Sequence, residues 1–149
     1  MPPPNQKIEA PNSEDDARLV SQRAVVEKYL GDDPENLRKY QTAAGKLGLL
    51  RALIQGNVFK PTQTYELQCM GIVLGDVFVQ ELGLEWRTVE DEFGRDPCVQ
   101  LRGTTIILFP LTMISKRIER GETVDVFDLF NGMAGEVEKL KKTADKSAD

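Results

Sequence analysis

The sequence predicts an α+β fold: two or three N-terminal helices, a three-stranded antiparallel meander, and two C-terminal helices packed on the sheet. Apolar residues recur at steps of three or four through most of residues 19–82 and again from 127, the spacing of one helical face. Between Leu84 and Phe109 the period falls to two, and Gly94 and Gly103 divide that stretch into strand-length pieces. The 149 residues fit one domain large enough to bury roughly two thirds of its unfolded surface.

Residues 1–11 carry four of the eight prolines and few apolar side chains, which predicts a floppy leader. Ser13 followed by Asp16 resembles a capping box, and Leu19, Val26 and Leu30 define a first amphipathic helix that Gly31 stops. Asp33 before Pro34 starts a second helix that continues through Leu37, Tyr40, Ala44, Leu47, Leu50 and Ile54 to Gly56. Gly45 and Gly48 inside it mark either a close crossing or bend, or simply a weakened helix. Thr62 caps a third helix to about Leu82, apolar on most sides and therefore central.

Leu84, Trp86 and Thr88 then alternate with Glu85, Arg87 and Val89 as a strand, and Asp91 to Gly94 forms a turn. Cys98 to Arg102 and Thr104 to Phe109 complete the meander. Pro110 opens a helix through Ile118 that Gly121 closes, and Asp125 caps a last helix striped by Phe127, Phe130, Met133, Val137 and Leu140. One domain is expected over residues 12–140, followed by a polar tail over 141–149.

Composition narrows the chemistry. The chain has no His, which removes the commonest general acid or base and the commonest catalytic metal ligand. A net charge of −5 disfavours a broad phosphate-binding surface and suits a basic protein partner, so no nucleic acid is expected. The longest dense apolar stretch, Met70 to Val79, is too short to cross a bilayer, and the N-terminus lacks a secretory pattern, so a cytoplasmic protein is expected. Cys69 and Cys98 lack metal or redox spacing and read as reduced, buried thiols. Glu90, Asp91, Glu92 and Asp96 crowd a turn without the spacing of a calcium loop, and the glycines build no phosphate fingerprint, so neither metal nor cofactor is expected.

The candidate binding residues are Asp76, Trp86, Lys116, Arg117, Glu119 and Arg120. Asp76 is an acid inside the most apolar helix and calls for a cation, for which Lys116 or Arg117 are the candidates. Arg117 and Arg120 stand one turn apart and could grip a phosphate or carboxylate, although a solvated face laced by ion pairs is the plainer reading. Trp86 is read as a core anchor, with exposure beside Phe93 as the alternative.

The segments LGDVFVQELGLEW, VEDEFGRDP, and the Phe109-Pro110 pair followed by KRIERGE resemble a bacterial family known as domain of unknown function 3806, over about residues 65–140. The resemblance implies bacterial origin and the extent of the fold, and brings no activity with it. Two function classes follow: a cytoplasmic protein-binding module, in its most specific form a toxin-neutralising immunity protein, or a small-ligand binder or enzyme using Asp76, Lys116, Arg117 and Glu119 in a helix–sheet cleft.

Overall fold

A computed structural model of the chain describes residues 6–148. It contains a four-stranded antiparallel sheet in the order β1-β2-β3-β4, formed by β1 (Lys7–Glu9), β2 (Leu84–Asp91), β3 (Gly94–Leu101) and β4 (Ile107–Leu108). The helices are α1 (Ser13–Glu27), α2 (Pro34–Tyr40), α3 (Ala43–Gln55), α4 (Thr64–Leu82), α5 (Met113–Glu119) and α6 (Val126–Ala148). Short 3-10 turns extend α1 over Lys28–Leu30 and precede α5 over Pro110–Thr112.

α4 is the centre. Eleven of its nineteen residues are buried, as its nearly continuous apolar sequence requires, and Gly83 ends it in the left-handed conformation. α1 and α3 pack along it, and its sheet-facing side contacts β2 and β3. The C-terminal helices pack mainly on the helical layer, α5 on α4 and α6 on α3 and α4, so it is α4 that lies against the sheet. Phe78 stacks with Phe130 at 5.9 Å between ring centres and joins α4 to α6.

Several boundaries depart from the sequence expectation for identifiable reasons. The expected leader contributes an edge strand: Lys7, Ile8 and Glu9 pair with Glu90, Val89 and Thr88, while residues 1–5 lie outside the described residues. The sheet therefore has four strands rather than three. The capping box belongs to Asn12 and Asp15, one residue before the expected pair: Asp15 N–H donates to Asn12 Oδ1 and Asn12 N–H to Asp15 Oδ2. The expected second helix is two, because Thr42 caps α3 by accepting from Gly45 N–H at 2.9 Å. Gly45 is required at this corner, since a Cβ there would stand 1.7 Å from Lys39 O, whereas Gly48 faces open space. α4 starts at Thr64 with no side-chain cap, so Thr62 does not play the expected part.

β3 is longer than expected, because Asp96 and Pro97, turn-forming in isolation, sit within the strand opposite Val89 and Thr88. β4 is reduced to two residues by Thr104: its hydroxyl donates to Leu101 O and accepts from Ile106 N–H, satisfying backbone groups that a longer strand would use. The expected polar tail over 141–149 continues α6 as far as Ala148.

Charged ties fasten the N-terminal elements to β3. Arg95 donates Nε–H to Asp15 Oδ1 at 2.9 Å and Nη2–H to Asp15 Oδ2 at 2.6 Å, a bidentate pair, and reaches Glu9 Oε2 at 2.9 Å. Arg18 donates to Arg95 O at 3.0 Å and lies 3.4 Å from the Asp96 carboxylate. The hydrogen bonds from Arg95 outweigh the effect of burial and hold the Asp15 carboxyl down at about 2.

On α4, a Cβ at Gly71 would lie 2.5 Å from the carbonyl oxygens of Pro110 and Leu111, and neither backbone group can yield cheaply. Gly71→Ala is expected to lower stability by about 1–3 kcal/mol, and Gly48→Ala, with open space around it, to raise it by about 0.5–1 kcal/mol, both read from urea unfolding. The Asp15 tie has a definite sign with pH. Because folding depresses the Asp15 pKa from 3.8 to about 2, its stabilisation is full above the unfolded value and disappears as pH falls through that interval. Urea midpoints measured between pH 5 and 2 should therefore fall more steeply in the native chain than in Asp15→Asn.

Candidate functional site

Asp76 projects from α4 toward α1 and is bonded there on both oxygens. Arg23 donates Nε–H to Oδ2 at 2.6 Å and Nη2–H to Oδ1 at 2.8 Å, and Trp86 donates its indole Nε1–H to Oδ1 at 3.0 Å. The pair is mostly sheltered, with 14% of the Asp76 side chain and 25% of the Arg23 side chain exposed. The hydrogen bonds from Arg23 to Asp76 raise the Arg23 pKa further. Gly75 makes the arrangement fit: a Cβ there would come within 2.3 Å of Trp86 Cη2, so the ring lies directly on the helix backbone.

The cation that Asp76 demands is thus Arg23, and neither Lys116 nor Arg117 bonds to it. The signal for this partner was in the sequence. Arg23 stands four residues after Leu19 and three before Val26, on the stripe that α1 buries.

The α5 residues do not converge. Lys116 is exposed, Arg117 donates to Met113 O of its own helix at 2.7 Å, and Glu119 accepts from the Thr64 hydroxyl at 2.8 Å. Arg120 lies 3.8 Å from Glu122, with both side chains largely exposed. The two arginines therefore form no common grip, and Asp76 lies outside their reach. Trp86 is half-buried, packed against the core and bonded through its N–H, while Phe93 is 88% exposed at the hairpin tip. In the acidic turn, Asp91 accepts from Phe93 N–H, and Glu90 and Asp96 lie within 3.9 Å and 3.4 Å of Arg95 and Arg18.

A further polar group lies behind Arg23. Lys46 Nζ donates to Tyr40 O at 2.9 Å and Gln80 Oε1 at 3.1 Å, and stands 4.9 Å from the centre of the Tyr40 ring. Burial lowers the Lys46 pKa. The Tyr40 hydroxyl is buried without a hydrogen bond of normal geometry, and burial, reinforced by the nearby Glu27 charge, raises its pKa. Both cysteines are buried and unpaired, and burial pushes the Cys98 thiol up to about 12.

A larger concavity lies elsewhere, and none of the six candidate residues lines it. A cleft of about 490 Å³ opens between α3, the loop before α4, the first turns of α4 and the α5–α6 loop. Its apolar floor includes Leu53, Phe59, Leu67, Met70 and Val124. Arg51, Glu122 and Asp125 stand at its edge. Arg51 lies 3.5 Å from the Asp125 carboxylate and 4.1 Å from the Phe127 ring centre, and Asp125 also accepts from the N–H groups of Phe127 and Asp128 at the start of α6. Beyond the α5–α6 loop a more open groove of about 470 Å³ runs between Arg117 and α6. The sequence pattern marked Leu67 and Met70 only as apolar positions of a helix and gave Leu53, Phe59 and Val124 no role, and nothing in their spacing shows that the elements diverge here.

The role of Asp76 can be measured. Asp76→Asn removes the charge that Arg23 needs and is expected to cost on the order of 3 kcal/mol, with the Trp86 emission shifting to the red. Lys116→Ala should stay within about 0.5 kcal/mol of the native chain. Equal stability of the two variants in urea would show that the Arg23 pair contributes nothing.

Among the described residues, no helix is long and apolar enough to cross a membrane, and no group of three or more Cys, Asp or Glu residues could hold a metal ion. No curated protein matches the chain. A crystal structure of a protein from Bacteroides thetaiotaomicron VPI-5482 is similar with a TM-score of 0.70 and 14% identity, over 87% of this chain and 47% of that one. The chain thus spans about half the length of that protein, and the likeness shows a shared fold. Residues 46–130 match a family model described as a domain of unknown function, DUF3806, and every residue lining the 490 Å³ cleft falls within that segment. With more than half its length matched, the chain belongs to the DUF3806 family.

Proposed function

We propose that this protein is a non-enzymatic binding module of the bacterial cytoplasm that receives an apolar side chain of a partner protein in the cleft between α3, α4 and the α5–α6 loop. The cleft carries the reading. Its volume of about 490 Å³ and its apolar floor with few charged groups at the edge are the properties of a binding concavity. The absence of His and the engagement of Asp76 with Arg23 and Trp86 favour binding over acid–base chemistry. The net charge of −5 favours a basic partner, and toxin neutralisation is the most specific form of the proposal. The same volume also suits a small apolar ligand, which is the second reading.

The experiment is affinity capture from native lysate with three baits: the native chain, Thr123→Trp and Phe93→Ser. Thr123 is exposed and lines both the cleft and the adjoining groove, so an indole there narrows this face without disturbing the core. Phe93→Ser removes the most exposed aromatic side chain at a different surface. A stoichiometric partner held by the native chain and by Phe93→Ser but lost by Thr123→Trp is the expected result. Loss in Phe93→Ser alone would move the interface to the hairpin tip and overturn the cleft assignment. Capture of no protein, together with a rise in Tm of the native chain alone on adding small apolar compounds, would favour the second reading.

A further inference from the structure

We propose that residues 7–30, comprising β1, α1 and its terminal 3-10 turn, form a clasp that opens as a unit while the rest of the protein stays folded. Opening uncovers the face of α4 that carries Cys69, Ile72 and Asp76. This is a property of the N-terminal arm, separate from the cleft and independent of its reading.

Four observations support it. First, the fully buried apolar set of the arm is small: α1 buries Leu19 and Val26 together with the polar Gln22, with Val25 and Leu30 partly buried against the core, against eleven buried residues of nineteen in α4. Val26 enters the main core, whereas Leu19 belongs to a small separate cluster with Ile72 and Leu111. Second, many of its attachments are side-chain ion pairs, from Arg23 to Asp76, Arg95 to Asp15 and Glu9, and Arg18 to Asp96. The partly exposed Arg95 and Arg18 pairs weaken with salt, whereas the sheltered Arg23–Asp76 pair is the strongest of these ties. Third, its backbone connection to the sheet is β1, three residues long and at the outer edge, so release breaks no interior strand pairing. Fourth, the arm ends in an exposed turn suited to a hinge: Gly31, at a φ of 67°, precedes exposed Asp32 and Asp33 before α2 begins. Locally cooperative units with few buried contacts are the ones that open below the global unfolding free energy.

The face under the clasp is defined by contact. Gln22 Nε2 lies 4.0 Å from Cys69 Sγ, Leu19 clusters with Ile72, and Arg23 holds Asp76. These α4 positions are three and four residues apart, one stripe of the helix. Closed, the stripe is sealed; open, it presents one carboxylate among apolar side chains, with the Trp86 indole beside it.

Cys69 reports the opening directly. The full chain is labelled with N-ethylmaleimide at increasing urea below the unfolding transition, and Cys69 modification is read by peptide mass spectrometry beside amide exchange of α1 and β3. The expected result is Cys69 labelling and α1 exchange with a urea dependence well below that of global unfolding followed by circular dichroism, while β3 amides stay protected. Arg95→Met, which cuts the ties to Asp15 and Glu9, should speed Cys69 labelling about tenfold, equivalent to about 1.4 kcal/mol. Arg120→Met, whose partner Glu122 is outside the arm, should leave it unchanged. Labelling that shares the urea slope and free energy of global unfolding, or that ignores Arg95→Met, would show the arm to be integral to the fold and overturn the proposal.

Discussion

The contact on which the structure turns is that of Trp86 with the backbone of α4 at Gly75. An indole can approach a helix this closely only where the Cβ is missing, and the adjacent Asp76 then accepts the indole N–H. One turn earlier, Gly71 lets the carbonyls of Pro110 and Leu111 reach the same helix. Two glycines four residues apart therefore bring the sheet and the turn before α5 onto α4. Asp76 extends the arrangement to α1 through Arg23, so three layers of chain meet around one carboxylate.

That geometry explains an apparent conflict in α4. A glycine-aspartate pair lowers helix propensity in the most apolar element of the chain, yet both residues are used by tertiary contacts that a uniformly aliphatic helix could not make. A charge placed here needs partners with matched geometry, and a bidentate guanidinium together with an indole donor supplies them. Such a saturated carboxylate has little left to offer a substrate. Asp76, the acid that stands out in the sequence, thus secures the architecture, and the cleft lies where charge is sparse.

Much of the fold was legible because its signals are local. The apolar run ending at Gly83, the alternation around Trp86, and the Asp33-Pro34 and Asp125 caps each specify an element without reference to distant residues. The departures have non-local causes. Residues 7–9 become a strand only because β2 offers an edge, and Asp96-Pro97, a turn in isolation, is held extended by pairing with β2. The Arg23 partner of Asp76 was accessible in principle from its place on the buried stripe of α1, but an apolar-only reading of that stripe passes over a cation. The cleft was not legible at all, since it arises where α3, α4 and the α5–α6 loop diverge, and no single element records that gap.

Family membership and the position of the arm bear on one another. The matched segment begins at residue 46, within α3, and contains α4, the β2–β3 hairpin, α5 and the cleft. Arg23, Asp15, Arg18 and Glu9, which fasten the arm, all precede it, while their partners Asp76, Arg95 and Asp96 lie inside it. The body has its own anchoring contacts, including Phe78 on Phe130 and Trp86 on Gly75, each between residues of the matched segment. The arm is held by these charge pairs, by the β1–β2 pairing and by Leu19, Val26 and their partly buried neighbours, whereas the cleft is lined by residues of the matched segment alone. The proposed opening of the arm and the proposed binding in the cleft therefore rest on different contacts: the first on ion pairs along α4 and β3 and on the packing of α1, the second on apolar surface on the far side of the same helix.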